Sequence, residues 1–186
     1  MPDHRLATDT DDGLVLIISG PSGVGKTTIT RGVERSIPSS VFSVSATTRA
    51  KTDADVEGVD YHFVTPEQFR TMVAGDEFLE HADVFGKCYG TPRAWVEEQL
   101  KRGRLVILEI DVQGAIQVKA KMPEAFAVFI LPPSEQTLLE RLRSRKRESE
   151  EAIQRRFAEA QREMRVARES GVYDAFIVNR DVKEAI

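Results

Sequence analysis

Eight residues limit this chain more than any others: Gly20-Pro21-Ser22-Gly23-Val24-Gly25-Lys26-Thr27. They follow the apolar run Leu14-Val15-Leu16-Ile17-Ile18 and precede a helix-compatible stretch beginning at Thr28. A buried strand that feeds a glycine-rich turn, which then opens a helix, is the setting of a phosphate-binding loop. The glycines let the backbone wrap closely around phosphate oxygens with its N–H groups pointing inward. Lys26 supplies a point charge for the outer phosphates, and the Thr27 hydroxyl is a ligand for Mg²⁺. Gly20 to Thr27, with Thr28 following, therefore predict a site for a nucleoside triphosphate.

The remainder of the sequence predicts an α/β fold. Leu14–Ser19, Leu105–Ile110, Phe126–Leu131 and Phe176–Val178 are continuous apolar runs, the pattern of parallel strands buried on both faces. Helices are expected at 26–37, 92–102, 112–121, 134–143 and 149–169. Pro92 suits a first helical turn, Ser134 and Ser149 suit N-caps, and Ile153, Phe157, Ala160 and Met164 recur at helical spacing. Residues 44–91 break the alternation. Short strands at 43–48, 61–64, 77–84 and 87–90, with a helix opening at Thr65-Pro66, predict a small mixed insertion. Residues 1–13 carry four aspartates and no apolar segment, and read as a tail.

Composition narrows the partners. A net charge of −4 disfavours general nucleic-acid or membrane-surface binding, and no apolar run approaches a bilayer span. Cys88 is the lone cysteine, which rules out an intrachain disulfide and fits a reducing cytoplasm.

Phosphate loops serve switches, motors and kinases. Asp111-Val112-Gln113-Gly114 has the Asp-x-x-Gly form of GTPases, but the Asn-Lys-x-Asp guanine motif is absent. A kinase needs an acceptor site, and the insertion offers one. Arg49 and Tyr61 are directional donors for an anion. Glu80 is a carboxylate able to accept from both the N1–H and the exocyclic amine of guanine, a pair that adenine cannot make. Asp111 ends an apolar strand where an acid reaches a loop-bound Mg²⁺ through water, and Glu109, two residues earlier, shares its face.

Several blocks of the chain resemble guanylate kinases. They are the phosphate loop, Phe42-Ser43-Val44-Ser45-Ala46-Thr47-Thr48-Arg49, Gly58-Val59-Asp60-Tyr61-His62-Phe63 and Phe78-Leu79-Glu80. Tyr89-Gly90-Thr91-Pro92, Leu108-Glu109-Ile110-Asp111-Val112-Gln113-Gly114 and Ile130-Leu131-Pro132-Pro133-Ser134 follow in the family's order. The resemblance implies a three-layer phosphate-loop kinase fold with a parallel central sheet, an inserted mixed GMP-binding subdomain and a helical lid. On that reading the core is 14–43, 92–133 and 161–186, the insertion 44–91 and the lid 134–160. It implies that Ser45, Glu80, Thr91 and Asp111 recognise guanine, and that Arg49, Tyr61 and Tyr89 hold the GMP phosphate. It also implies that Arg141, Arg145 and Arg156 close over the triphosphate of ATP, with Asn179 near its adenine. Lys26 and the three lid arginines would carry catalysis, with Mg²⁺ as the cofactor. His4, His62 and His81 gain no catalytic role, because a phosphate nucleophile needs no strong base.

The resemblance has departures. Thr52 stands where the family usually has a second phosphate-binding arginine, and neighbouring Lys51 offers a charge without the planar guanidinium fork. Weaker phosphate binding than is usual in the family is expected. Lys146 replaces a frequent glycine in the lid, and a longer C-terminal helix than residues 181–186 allow is expected. Two rivals remain at this stage: a ribose-bisphosphate kinase of related fold, and a non-catalytic protein-binding module of similar sequence.

Overall fold

A computed structural model describes residues 13–84, 86–144, 149–182 and 185–186. Five strands form one sheet: β1 (Leu14–Ser19), β2 (Ser40–Phe42), β7 (Leu105–Glu109), β8 (Phe126–Leu131) and β9 (Ala175–Val178). Their order is β2-β7-β1-β8-β9, and the registered pairs β2–β7, β1–β8 and β8–β9 are all parallel. The buried stretches Ile17-Ile18, Val106-Ile107-Leu108 and Ala127–Ile130 explain why these runs do not alternate with polar residues. A second sheet of mixed direction, β4-β3-β6-β5, is built from β3 (Ala46–Thr47), β4 (His62–Phe63), β5 (Phe78–Val84) and β6 (Lys87–Pro92). Pairs β3–β6 and β5–β6 are antiparallel, while β3–β4 is parallel.

The helices are α1 (Lys26–Ser36), α2 (Pro66–Ala74), α3 (Arg93–Lys101), α4 (Val112–Lys121), α5 (Glu135–Ser144) and α6 (Glu150–Ser170). Their starts follow local chemistry. Thr65 and Gln68 form a reciprocal capping box on α2, and the Ser149 side chain accepts the Ala152 N–H at the start of α6. Ser134 accepts the Thr137 N–H ahead of α5.

The chain divides into two compact units. Among the described residues, one comprises 13–15 and Ser39–Leu108, and the other Leu16–Pro38 and Glu109–Ile186. In the first, Phe69 and Phe78 stack with centroids 4.7 Å apart beside Ala46. Each ring's burial contributes about 1.5–3 kcal/mol, so this pair anchors α2 to the mixed sheet. Gly90 has no side chain for the same reason: a Cβ there would lie 2.8 Å from the Phe78 ring. In the second unit, Val112, Phe129, Leu138, Leu142, Ile153, Ala160, Met164 and Ala167 form a single apolar cluster. This cluster packs α4, α5 and α6 together on β8. No described helix is long and apolar enough to cross a membrane.

The sequence expectations need four adjustments. β2 is a strand of only three residues that apolar patterning does not reveal. The predicted strand at 43–48 shrinks to Ala46–Thr47, and Pro92 is the N-cap of α3 rather than its first residue. Of the expected tail, residues 1–12 lie outside the described residues, while the Gly13 N–H donates to Leu100 O at 3.0 Å.

Candidate active site

The phosphate loop lies in the second unit between β1 and α1. Gly23 and Gly25 take φ of 86° and 99°, backbone that side-chain-bearing residues rarely adopt, and Gly25 is the N-cap of α1. Lys26 Nζ donates to Gly20 O at 2.5 Å and to Pro21 O at 3.3 Å, so the ammonium is folded over its own loop. The Thr27 hydroxyl donates to Glu109 Oε1 at 2.8 Å, and Thr28 beside it is exposed.

That bond separates two acids the sequence left undivided. Glu109 touches the Thr27 hydroxyl, whereas Asp111 caps α4 by accepting the Gly114 N–H at 2.8 Å. A hydroxyl, one adjoining carboxylate and a second nearby in sequence suit Mg²⁺, which keeps most of its coordination in water and phosphate.

Two predicted lid arginines already meet the loop. Arg141 donates to Val24 O and Asn179 O, each at 3.3 Å, and Arg156 Nη2 donates to the Ser22 hydroxyl. Leu142, one residue beyond Arg141, would touch a Cβ at Gly23 at 3.0 Å. Helix α5 thus lies directly over the loop's turn. Arg145 lies outside the described residues. Asn179 is 1% exposed and donates its side-chain amide to Val24 O at 2.8 Å, bracing the loop from behind.

Sequence reading missed Glu163. Burial raises its carboxyl to about 7, against the pull of Lys26 and with further upward pushes from Asp111 and Glu159. A signal was available. Glu163 interrupts the core-facing series Ala160, Met164, Ala167 on α6, where a carboxylate is out of place.

The first unit gathers Ser45, Arg49, Tyr61, Glu80, Tyr89 and Thr91 on or beside the mixed sheet. Asp111, the seventh expected acceptor residue, belongs to the second unit. Glu80 is 5% exposed and accepts a 2.6 Å bond from the Thr91 hydroxyl, itself 1% exposed. Ser45 is half-buried and its carbonyl accepts the His62 N–H at 2.9 Å. The Tyr61 and Tyr89 rings meet edge to face at 5.7 Å, and the Arg49 guanidinium lies 5.1 Å from the Tyr61 centroid. The same guanidinium pairs with Asp55, with Nη1 and Nη2 donating to the two carboxylate oxygens at 3.0 and 2.8 Å. That hydrogen bonding raises the Arg49 pKa and holds the Asp55 carboxyl well below the usual range, with Thr52 adding to the latter. Asp55 was not anticipated. Its carboxylate follows Arg49 by six residues across a polar loop, a spacing with no regular element to give it meaning. Lys51 is exposed.

Known proteins match this arrangement along its length. The guanylate kinase family model covers residues 13–186. A guanylate kinase of Anaeromyxobacter dehalogenans is 51% identical over 99% of this chain and 80% of that protein. Another, from Carboxydothermus hydrogenoformans, is 47% identical over 94% and 84%. The crystal structure of guanylate kinase from Anaplasma phagocytophilum superposes with a TM-score of 0.72 at 35% identity, covering 93% of this chain and 80% of that one. With its phosphate loop, arginine-bearing helices and buried Glu80–Thr91 pair, the chain belongs to the guanylate kinase family.

Proposed function

We propose that this kinase transfers the γ-phosphoryl group of Mg-ATP to GMP, and also to dGMP, giving ADP and the guanosine diphosphate. The carrying observation is the buried Glu80 carboxylate, held by Thr91 on the same sheet as Arg49, Tyr61 and Tyr89. A desolvated carboxylate beside an anion-binding set suits a ligand with paired N–H donors at one end and a phosphate at the other. Ser45 adds a hydroxyl for the base, and Asp111 is assigned to base recognition as well.

On the donor side, residues Gly20–Thr28 wrap the triphosphate and Lys26 leaves its own loop carbonyls for the outer phosphates. Thr27 would hold Mg²⁺, and Glu109 or Asp111 would reach it through water. When bound, the ion would supply charge neutralisation for the triphosphate. Arg141, Arg145 and Arg156 stabilise charge that spreads over the equatorial oxygens of the transferring group. No general base is required, because the second ionisation of a phosphate monoester lies near pH ~6 and the nucleophile is largely deprotonated at neutrality. Catalysis is alignment, neutralisation and exclusion of water, with residues 44–91 as acceptor subdomain and 134–160 as lid. Asn179 supports the adenine end through the loop it braces. The substrates are free nucleotides, and the compartment is the cytoplasm; the net charge of −4 and the lone Cys88 support both.

The test is coupled ADP release from Mg-ATP against GMP, dGMP, AMP, UMP, dTMP and ribose phosphates. Selective turnover of the two guanine nucleotides is expected. Turnover of a sugar phosphate instead would overturn the base assignments, and ATP binding without any turnover would favour a binding module.

A further inference from the structure

The Arg49–Asp55 pair carries an inference beyond the acceptor site as described, resting on the reading of Arg49 as the acceptor-phosphate ligand. A guanidinium has two edges able to grip an oxyanion: the end fork of Nη1 and Nη2, and the side edge of Nε and Nη2. In Arg49 the end fork is filled by both oxygens of Asp55, and Nη1 also donates to Ala50 O at 3.2 Å. Aromatic rings approach it too, with Tyr61 at 5.1 Å and Phe63 at 5.4 Å from the central carbon. On the side edge, Nε makes no hydrogen bond among the described residues, and Nη2, which carries two N–H groups, makes only its one bond to Asp55.

The carboxylate itself is pinned. The Thr52 N–H and hydroxyl both donate to Asp55 Oδ2, at 2.7 and 2.6 Å, and the Asp55 N–H returns a bond to Thr52 O at 3.1 Å. The Asp55 side chain is only 14% exposed. A phosphate dianion that took the end fork would leave this fixed carboxylate facing a second anion. A dianion on the side edge keeps the ion pair and places the cation between the two negative groups.

We propose that Asp55, secured by Thr52, is a positioning residue of the acceptor site: it holds the end fork of Arg49 and so presents the side edge, Nε and Nη2, to the acceptor phosphate. Thr52 acquires a role here. It stands where the family resemblance implies a second arginine, and its two donors fix the counter-ion of the first. Preorganisation of one guanidinium then takes the place of a second charge.

The test is a double-mutant cycle read in steady-state kinetics with GMP, with thermal melting to verify folding. Asp55→Asn keeps the shape but puts an amide N–H against the fork. It is expected to raise KM for GMP about tenfold, while kcat stays within about twofold. Thr52→Val, which leaves the ion pair and the backbone N–H bond but removes the hydroxyl donor to Asp55 Oδ2, is expected to raise KM about threefold and keeps the proposal testable if Asp55→Asn folds poorly. In an Arg49→Ala background neither substitution adds to the KM. A fall in KM would overturn the proposal, because the carboxylate would then be a competitor of the phosphate. An equal rise in both backgrounds would also overturn it, reducing Asp55 to a loop staple. Failure of the underlying reading looks different: Arg49→Ala by itself would leave the GMP KM unchanged, or the wild-type chain would not turn over GMP at all.

Discussion

Glu80 and Thr91 form a buried pair in which a hydroxyl supports a carboxylate at 2.6 Å. In Glu80→Gln, a carboxamide N–H would face the guanine donors, and kcat/KM for GMP is expected to fall about 10²–10³-fold without gain toward AMP. Rates on both nucleotides decide this; a loss confined to stability would sink it. The residue type was legible from sequence, but its burial was not. An alternating strand would expose one neighbour in two, whereas Phe78, Leu79 and Glu80 are all buried. The register against β6 shifts between Phe78 and His81, and this irregularity turns successive side chains inward. Asp55 was illegible for another reason: its meaning comes from a loop closure that brings it back to Arg49, and polar loops carry no periodicity.

Helices α5 and α6 hold their arginines in place by apolar packing. Leu138 and Leu142 are 0% and 2% exposed within the cluster that includes Ile153, Ala160 and Met164. Leu138→Ala is expected to cost about 2–5 kcal/mol in urea unfolding. Arg141→Ala, by contrast, leaves that cluster intact and is expected to lower kcat about 10²–10³-fold, with little change in unfolding midpoint. A kcat within threefold of wild type would remove Arg141 from the chemistry. Elements of this kind were the most legible part of the fold. β1 and β8 match the apolar runs residue for residue, and Ser149 marks the start of α6 through the cap it makes. The three-residue β2 escaped because its side chains are all only half-buried. The pairing order of the strands escaped as well, since β7 lies between β1 and β2 in the sheet although it follows both in the chain.

The stability of the whole chain reports on Glu163. Its carboxyl is raised from 4.5 to about 7 in the folded state, chiefly by burial. The unfolded chain therefore releases this proton first. The group's stabilising contribution is full below about 4.5 and is lost as pH rises through about 7. In the nucleotide-free protein, the melting temperature of Glu163→Gln should match wild type near pH 4.5, rise above it toward pH 7 and hold a constant lead beyond. Parallel curves across that range would refute it. Motif spacing singled out the loop, Glu80 and Arg141; what it could not convey is support that arrives from far along the chain. Asn179 and Val24 are 155 positions apart, and the bond between them fixes the back of the loop. A Cβ on Gly25 would come within 2.9 Å of the same Asn179 amide. Transplanting the eight-residue loop into another scaffold would therefore carry its glycines but not its buttress. A faithful graft would have to include the residue that follows β9, so the smallest portable unit of this loop is a pair of segments about 155 positions apart in the chain.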